Sequence, residues 1–308
     1  MNHTILLWTV FNAAIIFLLV LDLKVVHRGN KESTLKAAIG WSIFWVILAL
    51  VFNAGVYFFM GSGKALEFLT GYLIERALSM DNLFVFLLIF TYFNVAPQHQ
   101  QRVLFLGILG ALVFRAVFII AGVTLIARFH WLLYVFGIFL IYAGVKLLFE
   151  KEKKLEPEKN PFIRLFRRFF PVADQDHSGS FFVKQAGKWL ATPLCLVLVL
   201  IETSDIIFAV DSIPAVLAIT QDSFIVYTSN VFAILGLRAL YFVLARMLQI
   251  FTYLNYGLAA ILTFVGVKMV IADLVPIPTG AALGVVCGVL SLSIAASVVF
   301  KKKTRHDK

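Results

Sequence analysis

The stretch LCLVLVLIETSDIIFAVDSIPAVLAI (residues 194–219) is long and apolar enough to cross a lipid bilayer, since a membrane-spanning helix needs about 20 mostly apolar residues. Within it stand three carboxylates, Glu202, Asp205 and Asp211. A charged side chain near the centre of a bilayer costs about 2.5–3.5 kcal/mol on insertion scales. Three such groups in one span therefore indicate a function inside the membrane.

The rest of the chain has the same apolar character. Hydrophobic residues make up 61% of the 308 residues and charged residues only 14%, whereas a soluble protein carries about 25% charged residues. The net charge is +10, but Lys and Arg fall in short blocks between apolar runs, which indicates membrane topology and argues against nucleic acid as a partner. The two cysteines form no CxxC motif, so a thiolate metal site is not expected.

Eight further apolar stretches can be cut from the chain. Together they predict an all-α, polytopic membrane protein with about nine transmembrane helices in a single transporter domain, 1–308. The third and sixth stretches carry internal charges, so irregular helices are expected there. The predicted spans are 4–25, 37–60, 66–93, 102–127, 131–149, 188–219, 223–246, 251–273 and 278–300.

Basic residues fall mainly on one side when the loops are assigned alternately to the two sides of the membrane. That side receives the loop 150–187 and the tail KKKTRHDK, whereas the other side receives only Lys64 and Arg128. Basic loops stay in the cytoplasm. We therefore expect a bacterial inner-membrane protein with a periplasmic N-terminus and a cytoplasmic C-terminus, in direct contact with the lipid bilayer.

An internal repeat indicates a transporter architecture. Three motifs of a first unit, 66–149, resemble three motifs of a second unit, 188–273, in the same order; the C-terminal helix 278–300 follows. Three helices in each unit reverse the second unit in the membrane, so two inverted three-helix repeats are predicted. The paired motifs are SMDNLFVF (79–86) with TSDIIFAV (203–210), LGALVFRA (109–116) with FAILGLRA (232–239), and FLIYAGVK (139–146) with ILTFVGVK (261–268).

Five carboxylates inside the apolar stretches are candidate metal ligands. Oxygen donors suit Mg²⁺, Ca²⁺ and Mn²⁺, and every His of the chain lies at a helix end or in a loop of the predicted topology. The candidate ligands are Glu75, Asp81, Glu202, Asp205 and Asp211, together with the amide of Asn82. The candidate supporting residues are Ser79, Ser204, Ser212, Val210, Arg115 and Arg238.

The same acids could instead be purely structural, each paired with a basic residue. The acids concentrate in two helices, at matching places in the two repeats, and hydroxyl groups accompany them, which favours an ion site. A mixed arrangement, in which Arg115 and Arg238 hold some carboxylates in place, also fits the sequence. The basic residues available for five ion pairs are Arg76, Arg115, Lys146, Arg238 and Lys268.

Helical spacing predicts that the two acidic helices are broken if all five acids face one cavity. At about 100° per residue, Glu202 and Asp211 differ by about 180° and cannot share one face of a straight helix. Pro214 cannot donate to the carbonyl of Val210, and a free carbonyl beside Asp211 would suit a hard cation. Discontinuous helices around a midplane site are therefore expected.

The acidic motifs resemble those of a known family. ALSMDNLFVF (77–86), IETSDIIFAVDSIPAV (201–216) and YTSNVFAILGLRALYF (227–242) are similar to motifs of the TerC family, and the Alx branch looks most similar. The resemblance covers nearly the whole chain. It implies a nine-helix inner-membrane protein related to lysine-exporter-type transporters, links the Alx branch with Mn²⁺ efflux, and places functional acids at the five positions named above.

The leading hypothesis is a secondary transporter that exports Mn²⁺, with Ca²⁺ or another divalent cation as the alternative substrate and no prosthetic group. Moving two charges outward against about 100 mV costs about 4.6 kcal/mol; since the sequence shows no nucleotide-binding motif, exchange for protons is the expected driver. The rival hypothesis is a non-transporting scaffold of the tellurite-resistance type that assists the biogenesis of membrane proteins or metalloproteins. An enzyme is not expected, because the acidic helices lack a nucleophile and a cofactor motif.

Overall fold

The described part of the chain is built almost entirely of helices. The computed structural model describes residues 2–27, 35–129, 131–149, 166, 168, 171–173, 179–185, 188–247 and 254–299. Within these ranges only the backbone is described for residues 2–4, 21–27, 81, 84, 188, 246–247, 254–255 and 298. The helices of the described residues are α1 (Asn2–His27), α2 (Leu35–Met60), α3 (Ser62–Tyr92), α4 (Pro97–Arg128), α5 (Leu132–Phe149), α6 (Pro193–Leu217), α7 (Ser223–Leu235), α8 (Leu237–Met247), α9 (Leu254–Val270) and α10 (Thr279–Val299).

The helices have the lengths and apolar character of membrane spans. In the described part of the chain, six are long and apolar enough to cross a bilayer: α2, α4, α5, α6, α10 and the combined α7 and α8. Shorter apolar runs occupy α1 and α9, and α3 is 31 residues long but contains charged residues. With α7 and α8 counted as one, each predicted span coincides with a helix. The protein is therefore a multi-pass integral membrane protein.

The expected breaks in the acidic helices are wrong. Both α3 and α6 are continuous. Pro214 lies in the last turn of α6, so its missing N–H weakens the end of the helix and leaves the middle intact. The interruption falls instead at Gly236, between α7 and α8. There the guanidinium of Arg76 lies so close that a Cβ on Gly236 would overlap it, so any larger residue at this turn would require the arginine to move.

A β-hairpin departs from the all-α prediction. β1 (Phe182–Gln185) and β2 (Lys188–Ala191) pair antiparallel, so residues 188–191 form a strand rather than the start of the sixth span. The helix α6 begins only at Pro193, where proline needs no hydrogen-bond acceptor, and Thr192 caps it by accepting from the N–H of Cys195 at 3.3 Å. Most of the predicted loop 150–187 lies outside the described residues.

Polar contacts at one end of the bundle give the relative direction of the acidic helices. Glu67, near the start of α3, accepts a hydrogen bond of 2.6 Å from Thr220, which follows the end of α6. Lys64 forms an ion pair of 3.2 Å with Asp222, which precedes α7. The start of α3 therefore lies beside the end of α6, and these two helices run antiparallel.

Glycines allow α5 and α9 to cross at close range. A Cβ on Gly144 would lie 2.8 Å from the carbonyl oxygen of Ala259, and a Cβ on Gly266 would lie 2.6 Å from the carbonyl oxygen of Gly137. The later part of α5 thus meets the earlier part of α9, and the earlier part of α5 meets the later part of α9. These two helices also run antiparallel.

Substituting Gly144 by Val is expected to destabilise the protein by about 1–3 kcal/mol, the usual effect of overpacking. The added side chain would force apart the backbones of α5 and α9, since even a Cβ would lie 2.9 Å from the backbone nitrogen of Thr263. The matched control is Gly284→Val in α10, where a Cβ would meet no atom within 4 Å. Thermal unfolding of the detergent-solubilised variants measures the difference, and equal midpoints would contradict the close crossing.

Candidate functional site

A buried polar network lies where α3, α4, α6 and α7 meet. Its centre is Arg115 of α4, whose side chain is only 1% exposed. Nε and Nη2 donate to the two carboxylate oxygens of Asp205 at 3.3 and 3.0 Å, a bidentate geometry that favours a strong ion pair. Nη1 forms an ion pair with Oε1 of Glu75. One guanidinium therefore joins acids from the two acidic helices.

Neutral side chains complete the hydrogen bonding of these acids. Ser79 donates to Oε1 of Glu75 at 3.2 Å, and the amide of Asn230 donates to Oε2 of Glu75 at 2.9 Å. Arg115 also donates to the hydroxyl of Ser212 at 3.2 Å and to the amide oxygen of Asn230 at 3.4 Å. Both oxygens of Glu75 and both of Asp205 therefore accept hydrogen bonds, as buried charged groups require.

Helical periodicity places the members of the network on common faces. Glu75 and Ser79 are four residues apart on α3, which brings their side chains together. Asp205 and Ser212 are seven residues apart on α6, or about two turns, so both face α4. Continuous helices are therefore compatible with this network, because Arg115 extends from α4 to contact acids on both α3 and α6.

Glu202 is placed differently from the other acids. It lies three residues before Asp205 on α6, and its carboxylate fits against Gly110 of α4, where a Cβ would overlap it. Its Oε2 atom is buried and has no hydrogen-bond donor among the described residues. The residue as a whole is only partly buried, but a buried oxygen without a partner is costly in an apolar environment, and a cation or a proton would satisfy it.

The remaining candidate residues have varied surroundings. Asn82 is buried in α3 and Arg238 is buried in α8, whereas Asp211 is partly buried. The hydroxyl of Ser204 donates to the carbonyl of Leu200 in its own helix at 2.8 Å. The side chain of Val210 is exposed. The side chain of Asp81, a predicted metal ligand, lies outside the described residues.

The network has the oxygen donors that a hard divalent cation needs, but Arg115 stands between them. Carboxylate, amide and hydroxyl oxygens from Glu75, Asp205, Asn230, Ser79 and Ser212 surround the guanidinium, and such donors suit Mg²⁺, Ca²⁺ and Mn²⁺. Among the side chains that the structure describes, no three from His, Cys, Asp and Glu form a group that could hold a metal ion. The guanidinium of Arg115 instead bridges two of these acids.

Sequence reasoning did not select Asn230, which is 1% exposed and bonds to both Arg115 and Glu75. A signal was present: Thr228, Ser229 and Asn230 form a polar triplet inside the apolar span 223–246. Polar side chains at membrane depth face the interior of a bundle. The triplet alone, however, does not reveal which acid lies opposite.

The fold and this network define a class: a multi-pass helical membrane protein with acidic and basic side chains paired in its core. Residues 60–305 match the integral membrane protein TerC family. The chain belongs to this family, as the resemblance of its acidic motifs predicts.

Relatives are similar over almost their whole length. The chain is 51% identical over 300 residues to an uncharacterized membrane protein, STKORF319, of Myxococcus xanthus, covering 97% of this chain and 93% of that protein. It is 48% identical over 300 residues to a Salmonella typhi protein provisionally named membrane-bound redox modulator Alx, covering 94% of this chain and 93% of that protein. It is 46% identical over 314 residues to an Escherichia coli K12 protein with the same provisional name, covering 99% of this chain and 97% of that protein. No solved structure matches the chain.

Proposed function

We propose that this protein is a secondary transporter that exports Mn²⁺ from the cytoplasm in exchange for protons, and that it is not an enzyme. The supporting observation is the charge of the buried site. Among the described contacts around Arg115, Glu75, Asp205 and the neighbouring Glu202 contribute three negative charges when ionised, against one positive charge from Arg115 itself. The excess of two negative charges equals the charge of one divalent cation. Inside a bilayer such an excess has to be compensated by cations or protons.

The chemistry of the donors supports a hard cation as substrate. All groups that accept hydrogen bonds in the network are carboxylate, amide or hydroxyl oxygens, which suit Mn²⁺, Ca²⁺ and Mg²⁺. The choice of Mn²⁺ among these rests on the resemblance of the acidic motifs to the Alx branch. Carboxylates released by the metal can accept protons, so the same side chains could serve both substrates.

Reciprocal helix contacts support the two inverted repeats. In the paired motifs, Gly144 corresponds to Gly266, and at the same separation of 122 positions Gly137 corresponds to Ala259. Gly144 approaches the carbonyl of Ala259, and Gly266 approaches the carbonyl of Gly137. A twofold axis produces self-complementary contacts of this kind. Because α5 and α9 are antiparallel, the axis would lie in the membrane plane, as in many transporters.

The topology that export requires can be tested with reporter fusions. A periplasmic reporter fused after Gly61 is expected to be active, and the same reporter fused near Asn160 is expected to be inactive, because basic loops are retained in the cytoplasm. An active cytoplasmic reporter at the second site is the matched control. The reverse pattern would refute both the orientation and the outward direction of transport.

A transport assay separates the transporter from a scaffold. Inside-out vesicles containing the protein, with an acidic lumen, are expected to accumulate Mn²⁺ and to lose luminal protons when Mn²⁺ is added outside. Vesicles without the protein, and vesicles whose pH gradient is collapsed by an ionophore, should do neither. A scaffold predicts no Mn²⁺-dependent proton movement. Mn²⁺ accumulation that survives loss of the pH gradient would retain the exporter but exclude proton exchange as its driver.

A further inference from the structure

Arg115 bridges the two acidic helices at carboxylates that could otherwise bind a cation. Its guanidinium contacts Glu75 on α3 and Asp205 on α6 at the same time, and no three-ligand metal group forms among the described side chains. Glu202, close by on α6, keeps a buried oxygen without a hydrogen-bond donor among the described residues. A network that satisfies two acids and leaves a third without a partner suggests a second position for the guanidinium.

We propose that Arg115 is a tethered substitute for the transported cation: it bridges Glu75 and Asp205 in the empty protein, and a divalent cation displaces it to Glu202. The inference rests on the proposed function, since it requires a divalent cation at this site. It assigns Arg115 a role in binding and return, beyond that of a fixed structural ion pair.

The displacement would cover a short distance. Glu202 and Asp205 are three residues apart on α6, less than one turn, or about 4.5 Å along the axis. The Glu202 carboxylate lies against Gly110 of α4, the helix that also carries Arg115. The absence of a side chain on Gly110 leaves room for the carboxylate beside α4. The displacement would require the arginine side chain to swing by about 4.5 Å, from Asp205 to Glu202.

Among Arg115 and the three acids, the charges balance when the cation is bound. In the empty protein the guanidinium compensates one of the two charges of the Glu75 and Asp205 pair, and a proton or cation is needed for the rest. When a divalent cation takes the pair, its two charges match the two carboxylates. The displaced guanidinium, which keeps its charge, then matches Glu202. The bound state is thus neutral within the bilayer, where net charge is strongly unfavourable.

The test is Mn²⁺ binding to the full-length protein in lipid nanodiscs, measured by electron paramagnetic resonance of the free ion. Arg115→Gln removes the competing cation and is expected to tighten Mn²⁺ binding by at least about tenfold, given the strength of a nearby charge. Glu202→Gln removes the acceptor of the displaced guanidinium and is expected to weaken binding by a similar factor. A guanidinium that only holds the helices together predicts weaker binding in the first variant.

The double variant distinguishes an acceptor from a direct metal ligand. If Glu202 acts only by receiving Arg115, Glu202→Gln should have no further effect once Arg115 is Gln. Weakened binding in the Arg115→Gln background would identify Glu202 as a metal ligand and overturn the two-position inference. Arg115→Lys, which keeps the charge but loses the bidentate contact, should tighten binding less and serves if Arg115→Gln does not fold.

The failure of the inference is distinguishable from that of the proposed function. Wild-type protein that binds Mn²⁺ while Arg115→Gln and Arg115→Lys bind it equally or more weakly would overturn the inference alone. If wild-type protein and all the variants leave the free Mn²⁺ signal unchanged, the divalent-cation site itself is refuted, and the inference with it.

Discussion

Replacing Asp205 by Asn is expected to abolish Mn²⁺ efflux and to destabilise the protein by about 3–5 kcal/mol, the usual cost of removing one partner of a buried ion pair. Asp205 accepts two hydrogen bonds from Arg115, at 3.3 and 3.0 Å. Asn has nearly the same shape but presents an NH₂ donor to one of the guanidinium donors. It also removes one of the two charges that the proposed site offers to a cation.

The measurement combines Mn²⁺ uptake by inside-out vesicles with thermal unfolding of the same preparation. The matched control is Asp222→Asn, which makes the same chemical change at the N-terminus of α7. Asp222 accepts from the N–H of Phe224 at 3.0 Å, and Asn caps a helix about as well as Asp. Its ion pair with Lys64 is partly exposed and is worth at most about 1 kcal/mol. Wild-type efflux by Asp205→Asn would place the site elsewhere.

The spans were predictable because a bilayer imposes a single strong requirement on sequence. Each crossing needs a long apolar run, and all nine predicted runs correspond to helices in the described residues. The hairpin was not predictable in this way. Its second strand, KWLA, directly precedes the apolar start of α6, so the hydropathy of the two segments merges. The strand is distinguished from the helix only by its pairing with β1, in which Lys184 lies opposite Trp189.

The site was predictable in composition but not in geometry. Acids at membrane depth stand out because each is costly there, and two of them, Glu75 and Asp205, share the guanidinium of Arg115. The expectation of broken helices failed because it assumed that every acid faces one cavity. Arg115 reaches Glu75 and Asp205 from a third helix, and Glu202 turns toward Gly110. Such contacts depend on how the helices are arranged relative to one another. The spacing of residues along a single helix carries no information about that arrangement.

The inverted repeat makes a second prediction of large effect. The paired motifs align Asp81 with Asp205 and Arg238 with Arg115. If a twofold axis relates the two units, Arg238 should serve Asp81 as Arg115 serves Asp205. Arg238→Gln and Asp81→Asn are therefore each expected to abolish Mn²⁺ efflux in inside-out vesicles, although Arg238 and Arg115 lie on different helices.

Double-mutant cycles on stability test whether the two pairs are equivalent. The variants Arg115→Gln with Asp205→Asn, and Arg238→Gln with Asp81→Asn, should both show coupling of about 0.5–3 kcal/mol, as expected for groups in contact. In each pair the double variant should lose less stability than the sum of its singles, because the loss of their shared ion pair is counted in both singles but occurs only once in the double variant. The crossed combinations, Arg115 with Asp81 and Arg238 with Asp205, are the controls and should be nearly additive. Strong coupling in the crossed pairs, or none between Arg238 and Asp81, would show that the twofold relation of the helices does not extend to their ionised side chains.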